Sequence, residues 1–130
     1  MIHLNIGSNL TSNFGSRFDN ITIALNLLIN SKVEIVKTSN FYETPSYPNK
    51  NFPKFLNVGV LVNFKNGYLD LLTEINFIEK KIGRKKTKKN DPRVVDIDIV
   101  DFNGIVENSN EIILPHPKSQ ILLLIISSLN

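Results

Sequence analysis

Two pieces of one segment organise the chain: Glu79-Lys80-Lys81-Ile82-Gly83-Arg84, then, after a lysine-rich stretch, Asp91-Pro92-Arg93-Val94-Val95-Asp96-Ile97-Asp98-Ile99-Val100-Asp101-Phe102. The first piece closes a helical pattern. Leu69, Leu72, Ile75, Ile78 and Ile82 recur at spacings of three and four, and Gly83 supplies a C-terminal cap, so a helix is predicted over 68–82. The second piece is a β-type run of Val and Ile, interrupted by Asp96 and Asp98 at alternate positions. Side chains alternate across a strand, so both carboxylates project side by side from one face. Burying either without a partner costs roughly 3 kcal/mol or more, and the two repel each other. Something positive is required beside them.

Working back towards the N-terminus, Phe55 to Phe64 reads as a strand with Leu56, Val58, Val60 and Val62 on one face and Asn57, Gly59, Leu61 and Asn63 on the other. Gly59 is expected to mark a bulge or a close approach of backbone or ligand. Pro45 to Pro53 is a loop, and before it Val33, Ile35 and Val36 open a strand expected to run to Tyr42. Phe18, Ile21, Leu25, Leu28 and Ile29 define an amphipathic helix over 17–30, with Asp19 near its positive end. Ile2, Leu4 and Ile6 alternate with His3 and Asn5 in a first strand ending at Gly7.

Beyond Phe102, Asn103-Gly104 is a hairpin signal and predicts a return strand near Ile105-Val106. Ile112 to Leu114 is another extended piece, and 119–129 reads as a short buried helix. The order β, α, β, β, α, β is the split βαβ arrangement. It predicts an α+β, ferredoxin-like βαββαβ sandwich: an antiparallel sheet with helices packed on it, a short extra hairpin and a C-terminal helix.

A length of 130 residues suits one domain. The absence of cysteine removes disulfides, thiolate metal sites and a cysteine nucleophile, and gives the chain a cytoplasmic character. Two histidines far apart in sequence, His3 and His116, argue against structural zinc, so a bound metal would be a hard one on oxygen ligands. The net charge of +3 permits an anionic partner, and Lys80, Lys81, Arg84, Lys85, Lys86, Lys88 and Lys89 concentrate the positive charge. Met1 to Ile6 lacks the pattern of a signal peptide, and the apolar run from Ile121 to Ile126 is too short to span a bilayer. No Walker-type glycine-lysine loop occurs.

Each candidate residue also has an ordinary reading. An Asp-x-Asp pair can lie on the wet face of a strand, Glu79 and Arg84 can form a solvated helix end, and a lysine run is usually a solvated loop. The β-branched flanks of Asp96 and Asp98, however, suit a central strand, and Arg84 and Arg93 stand just before them. Paired carboxylates beside a cationic loop suit magnesium and a polyphosphate: carboxylates hold metal, metal bridges phosphate oxygens, and arginine forks take the remaining charge. His116, rigid between Pro115 and Pro117, would suit a donor to phosphate.

Taken together, these residues resemble the 6-hydroxymethyl-7,8-dihydropterin pyrophosphokinase family of the folate pathway. The matching pieces are Ile6-Gly7-Ser8-Asn9-Leu10, Phe41-Tyr42-Glu43-Thr44-Pro45, Phe55-Leu56-Asn57, Glu79 through Gly83-Arg84, Pro92 through Ile99, and Leu114-Pro115-His116-Pro117. They follow the family's order at close to its spacing. The resemblance implies a single pyrophosphokinase-like domain over 1–130. It also implies transfer of pyrophosphate from ATP to the pterin's hydroxymethyl oxygen, releasing AMP. By this match Asp96 and Asp98 bind two magnesium ions and act in catalysis with Arg84 and Arg93. Glu79, Arg84, Arg93, Ile99 and His116 would form the ATP site, with Ile99 lining the adenine pocket and Glu79 ordering the basic loop and the pterin side. Gly7, Thr44, Pro45, Phe55, Asn57 and Asp96 would face the pterin. The implied partners are small molecules, with no nucleic acid and no membrane, for a cytoplasmic monomer.

The chain departs from the family pattern in places. Asn90-Asp91 stands where many members carry an aromatic residue, no arginine follows Arg93, and the stretch after His116 is shortened. Two other readings share these residues: a ferredoxin-like RNA-binding module using the basic loop, and a relative that keeps the fold without turnover. The first would need exposed aromatic stacking platforms, which the long strands lack.

Overall fold

The computed structural model describes residues 1–85, 87–120 and 122. The elements are β1 (Ile2–Ser8), α1 (Arg17–Asn30), β2 (Glu34–Thr38), β3 (Tyr42–Thr44), β4 (Phe55–Asn63), α2 (Tyr68–Ile82), β5 (Asp96–Phe102), β6 (Glu107–Asn108) and β7 (Ile113–Leu114). The main sheet runs β2-β4-β1-β5, with β3 also on β4, and every pair is antiparallel. This is the α+β arrangement expected: two helices on an antiparallel sheet whose long strands follow the split βαβ order.

Alternation along the strands divides the sheet into two unlike faces. Ile2, Leu4, Ile6, Val58, Val60, Val62, Ile97 and Ile99 form one buried cluster with Ile21, Ala24 and Leu28 of α1 and Leu71, Ile75, Ile78 and Ile82 of α2. Each such side chain contributes about 1.5–3 kcal/mol by leaving water. The intervening residues line the opposite face. In register, Gly7 stands between Asn57 and Asp96, and Asn5 between Gly59 and Asp98. The pattern that builds the core therefore sets the polar residues of three strands in rows.

Helix ends follow local chemistry. Ser16 and Asp19 form a reciprocal capping box at the start of α1. At the end of α2, Gly83 takes the left-handed conformation, φ 111°, with its N–H on the Lys80 carbonyl and the Arg84 N–H on the Glu79 carbonyl. This tight finish turns the chain so that Arg84 can fold back over Glu79.

Three expectations need correction. The strand expected to run to Tyr42 is two strands, broken at Ser39, where the Ser39 N–H donates to the Gly59 carbonyl and Ser39 Oγ accepts the Gly59 N–H, both at 2.8 Å. A side-chain oxygen thus replaces a ladder carbonyl. Gly59 itself lies in regular register with Asn5; the irregularity falls between Ile35 and Lys37 of β2, and the close approach is that of Ser39. Asn103 and Gly104 do form a tight turn, with φ 54° and 73°, but the following strand pairs with β7 and not with β5. The reason lies at the outer edge of β5. The register against β1 slips by one residue at Val100, and the Val100 carbonyl accepts the His116 N–H at 2.8 Å. The expected terminal helix is seen at Ser119, Gln120 and Leu122; the rest of it lies outside the described residues.

Candidate active site

At the junction of α2, β1 and β5, an ionic cluster forms around Asp96. Arg84 Nη1 lies 2.6 Å from Glu79 Oε2 and 2.9 Å from Asp96 Oδ1, and Arg93 Nη1 lies 3.6 Å from Asp96 Oδ2. Glu79 is buried, and its Oε2 also accepts the Ile97 N–H at 2.8 Å. Its carboxyl therefore braces the end of α2 against β5 as well as holding Arg84. Burial pushes it up to about 7, with the Ile97 N–H and the Arg84 guanidinium pulling the other way.

Asp98 differs from its neighbour. Among the described residues, no cation lies within ion-pair distance of it. Burial raises its carboxyl well above the usual carboxylate range; Asp96, within hydrogen-bonding reach, and Glu79 add to the rise, while Arg93 opposes it. Glu79, Asp96 and Asp98 set three carboxyls against the two guanidiniums of Arg84 and Arg93, one positive charge short of balance. Among the described residues no group of three or more His, Asp or Glu is placed to hold a metal ion. An all-oxygen pair such as Asp96 and Asp98 suits magnesium, which is bound through one or two carboxylates with water and phosphate completing its shell.

Across β1 the polar face continues without charge. Asn57 Nδ2 donates to Thr44 Oγ1 at 2.9 Å and reaches the Tyr42 and Phe55 carbonyls at 3.4 Å each. Its Oδ1 accepts from Asn5 Nδ2 at 3.3 Å, and the Tyr42 hydroxyl donates to Asn5 Oδ1 at 2.6 Å. A Cβ at position 7 would stand 2.9 Å from Asn57 Oδ1 and 3.3 Å from the Phe55 ring, so Gly7 leaves the space these groups occupy. The Arg93 guanidinium stands 5.8 Å from the centroid of the Phe55 ring and ties this region to the ionic cluster. Pro45 follows Thr44 and is exposed.

His116 and Ile99, far apart in sequence, line one cavity of about 340 Å³ with Ile97, Asp98 and Ile112. The ring of His116 is partly buried, and burial lowers its pKa, helped by Lys118 and opposed by Asp96. Neutral at ordinary pH, it has one ring N–H to donate; Nδ1 already accepts the Lys118 N–H at 3.0 Å. A second, basic cavity of about 560 Å³ opens between α2 and the loop after it, lined by Glu79, Lys80, Arg84, Lys88, Lys89 and Arg93 among others.

Of the residues singled out from sequence, Glu79, Arg84, Arg93, Asp96 and Asp98 thus form one cluster. Gly7, Thr44, Phe55 and Asn57 form the adjoining row, and Ile99 meets His116 beside Asp98. Three residues take part that sequence reading did not assign. Asn5 and Tyr42 complete the amide row. Asn9, only 3% exposed, accepts the Arg93 N–H on its side chain at 2.7 Å and donates its own N–H to the Arg93 carbonyl at 3.1 Å. The same side chain donates to Ser46 Oγ and to the Pro53 carbonyl, each at 3.1 Å. A buried asparagine at the end of a strand, after Gly7-Ser8, was the available signal, but the partners lie in two distant loops.

Residues 3–127 match the family described as 7,8-dihydro-6-hydroxymethylpterin-pyrophosphokinase. The chain is 33% identical over 117 residues to the folic acid synthesis protein fol1 of Pneumocystis carinii, a match covering 90% of this chain and 15% of that one. It is 31% identical over 121 residues to the 2-amino-4-hydroxy-6-hydroxymethyldihydropteridine pyrophosphokinase of Bacillus subtilis, covering 92% of this chain and 72% of that protein. The Aquifex aeolicus protein of the same name is 34% identical over 118 residues, covering 89% and 69%. The chain therefore spans less than a quarter of the longer folate-synthesis proteins and about seven tenths of these two bacterial ones.

Proposed function

The chain belongs to the 7,8-dihydro-6-hydroxymethylpterin-pyrophosphokinase family, and we propose that it transfers pyrophosphate from ATP to 6-hydroxymethyl-7,8-dihydropterin in folate biosynthesis. The pterin's hydroxymethyl oxygen attacks the β-phosphorus and loses its proton. The bond between the β-phosphorus and the oxygen bridging to the α-phosphate breaks, and AMP leaves with that electron pair. No covalent intermediate on the protein is needed.

The observation that carries this reading is the placement of the under-neutralised Asp96–Asp98 pair between two unlike neighbourhoods. Arginines lie on one side and a neutral amide row on the other. Asp96 and Asp98 would hold two magnesium ions, which when bound neutralise the triphosphate and make the attacking hydroxyl more acidic. Arg84 and Arg93 are engaged with Asp96, at 2.9 and 3.6 Å. On substrate binding they turn part of their hydrogen-bonding capacity to phosphate oxygens and stabilise the charge passing to AMP. Glu79 keeps Arg84 oriented while this happens. His116 donates its ring N–H to phosphate, and Ile99 borders the adenine. Gly7, Thr44, Pro45, Phe55 and Asn57 receive the flat pterin, with Asp96 at the reacting end.

The protein works on these small molecules as a monomer without nucleic acid. No described helix is long and apolar enough to cross a membrane, and the cysteine-free composition favours the cytoplasm. The test is AMP formation that requires both magnesium and the hydroxymethyldihydropterin. Failure to form AMP, together with unchanged ATP binding in Asp96→Ala and Asp98→Ala, overturns the proposal. Tight, salt-sensitive retention of RNA without magnesium would instead favour an RNA-binding module.

A further inference from the structure

The lysines that follow α2 do not simply trail along an open loop. Gly83 turns the chain at the end of the helix. A second turn, with the Asp91 N–H on the Lys88 carbonyl at 3.1 Å and Asn90 at φ 69°, brings it back to Arg93. Between the two turns, Lys85, Lys88 and Lys89 come to line one cavity of about 560 Å³ together with Lys80 and Asn76 of α2. Among the described residues none of these four ammonium groups has a carboxylate at ion-pair distance. Glu79 is the one carboxylate among the described residues of the wall, and its Oε2 already accepts from Arg84 Nη1 at 2.6 Å and the Ile97 N–H at 2.8 Å.

A lysine run in open solvent disperses its charge, and Lys80 alone would serve to offset the negative end of the helix dipole. Four like charges gathered around a concavity repel one another and draw in anions. A cavity of this volume lies in the range that holds small molecules, so the wall fits a compact polyanion. The same wall contains Arg84 and Arg93, whose guanidiniums reach Asp96 at 2.9 and 3.6 Å, while Asp96, Asp98, Ile99 and His116 take no part in it. Polyphosphate is thereby sorted by its metal. A chain carrying magnesium suits the Asp96–Asp98 pair, where carboxylates meet the ion. A chain without it is repelled there, and finds in the lysine wall four unpaired cations and two guanidiniums that fork onto phosphate oxygens.

We propose that the basic cavity between α2 and the loop after it is a second site, for two or more linked phosphates that carry no metal, and that its occupant competes with Asp96 for Arg84 and Arg93. Free pyrophosphate and the metal-free triphosphate of a nucleotide share this chemistry. Either one draws the two arginines away from the carboxylate pair and lowers turnover. The binding stands on the cavity alone, whereas the effect on turnover rests on the pyrophosphoryl transfer proposed above.

The test is calorimetric titration without magnesium, using pyrophosphate, ATP and inorganic phosphate as probes. Pyrophosphate and ATP are expected to bind the wild type comparably, and inorganic phosphate about 10-fold or more weakly. The triple variant Lys85→Ala, Lys88→Ala, Lys89→Ala is expected to weaken both polyphosphates by about 10-fold or more. All three side chains are exposed, so the fold is not at stake. With magnesium in excess, the difference between variant and wild type is expected to vanish. In an AMP assay in identical buffers, so that capture of magnesium by the additive cancels, pyrophosphate should inhibit the wild type more than the variant, with the KM for magnesium–ATP the same in both. A KM that rises in the variant as far as pyrophosphate binding weakens makes the cavity part of the ATP site and overturns the inference. Binding of ATP without binding of pyrophosphate, or a lysine dependence that persists in excess magnesium, overturns it equally. A wild type that forms no AMP overturns the transfer reaction and with it the effect on turnover, and leaves the titration to decide the site.

Discussion

On either side of β1, the open face of the sheet solves the problem of buried polarity in opposite ways. Towards β5 it is ionic and incomplete: Asp96 is held by two arginines, while Asp98 has no cation at contact among the described residues and its carboxyl is driven upward by burial. Towards β4 it is neutral and closed on itself, each amide and hydroxyl finding a partner within the row. The first arrangement leaves one carboxyl without a cation at contact, and the second has its partners already set. The proposed transfer would need to gather charged ligands and recognise a flat ring, and one strand keeps these two regimes apart.

The comparison breaks most readily at the carboxylates. In the proposed transfer, Asp96→Ala and Asp98→Ala are each expected to lower kcat by roughly 10³-fold, since charge stabilisation at the reacting phosphorus would depend on them. A steady-state assay for AMP checks this, and a loss below 10-fold would place the chemistry elsewhere. On the neutral side, Asn57→Ala is expected to raise the KM for the pterin by about 10-fold or more without a matching change for ATP. Equal changes in both would mean that the two sides are not separate.

The buried clamp at Asn9 joins the Arg93 segment to the loop around Ser46 and Pro53. Asn9→Ala is expected to destabilise the fold by about 1–3 kcal/mol, read as a lower midpoint in urea, because it leaves the Arg93 N–H without its acceptor. The smallest effect concerns pH. The Asp98 carboxyl of the folded protein sits well above its ordinary value of 3.8, so the folded state binds that proton more tightly than the unfolded chain. Its contribution favours folding at low pH and is lost as pH rises. Asp98→Asn without ligands should therefore match the wild type in stability near pH 4 and exceed it increasingly towards neutrality, as thermal melts across that range would record. Tyr42→Phe, on the neutral side, should show no such trend over the same range.

Both helices were legible because their apolar residues recur at three and four and their caps are local: Ser16 with Asp19, and Gly83. The alternation of β1 and β4 was legible for a similar reason, as was the shared face of Asp96 and Asp98. What sequence could not supply was register. The pairing of Asn5 with Asp98 and Gly59, and the reach of Asn9 into two loops, depend on which residues the sheet sets opposite one another. The break between β2 and β3 was hidden because Ser39 stands in for a backbone carbonyl, a substitution that leaves no mark on hydrophobic periodicity. The Asn103-Gly104 turn was read correctly as a turn, but its expected strand partner was lost to His116, which occupies the edge of β5.

The slip at Val100 has a consequence for the arithmetic of β5. Asp96 and Asp98 face away from the helices, yet Phe102, also at an even position, lies in the core, and Asp101 stands opposite His3 on the open side. A regular strand cannot do this, because its parity is conserved from end to end. The extra residue inverts it once. Deleting Val100 would leave Ile99, Asp101 and Phe102 consecutive opposite Leu4, His3 and Ile2, so both faces would be kept; what the strand would lose is the extra carbonyl that holds the His116 N–H at its edge.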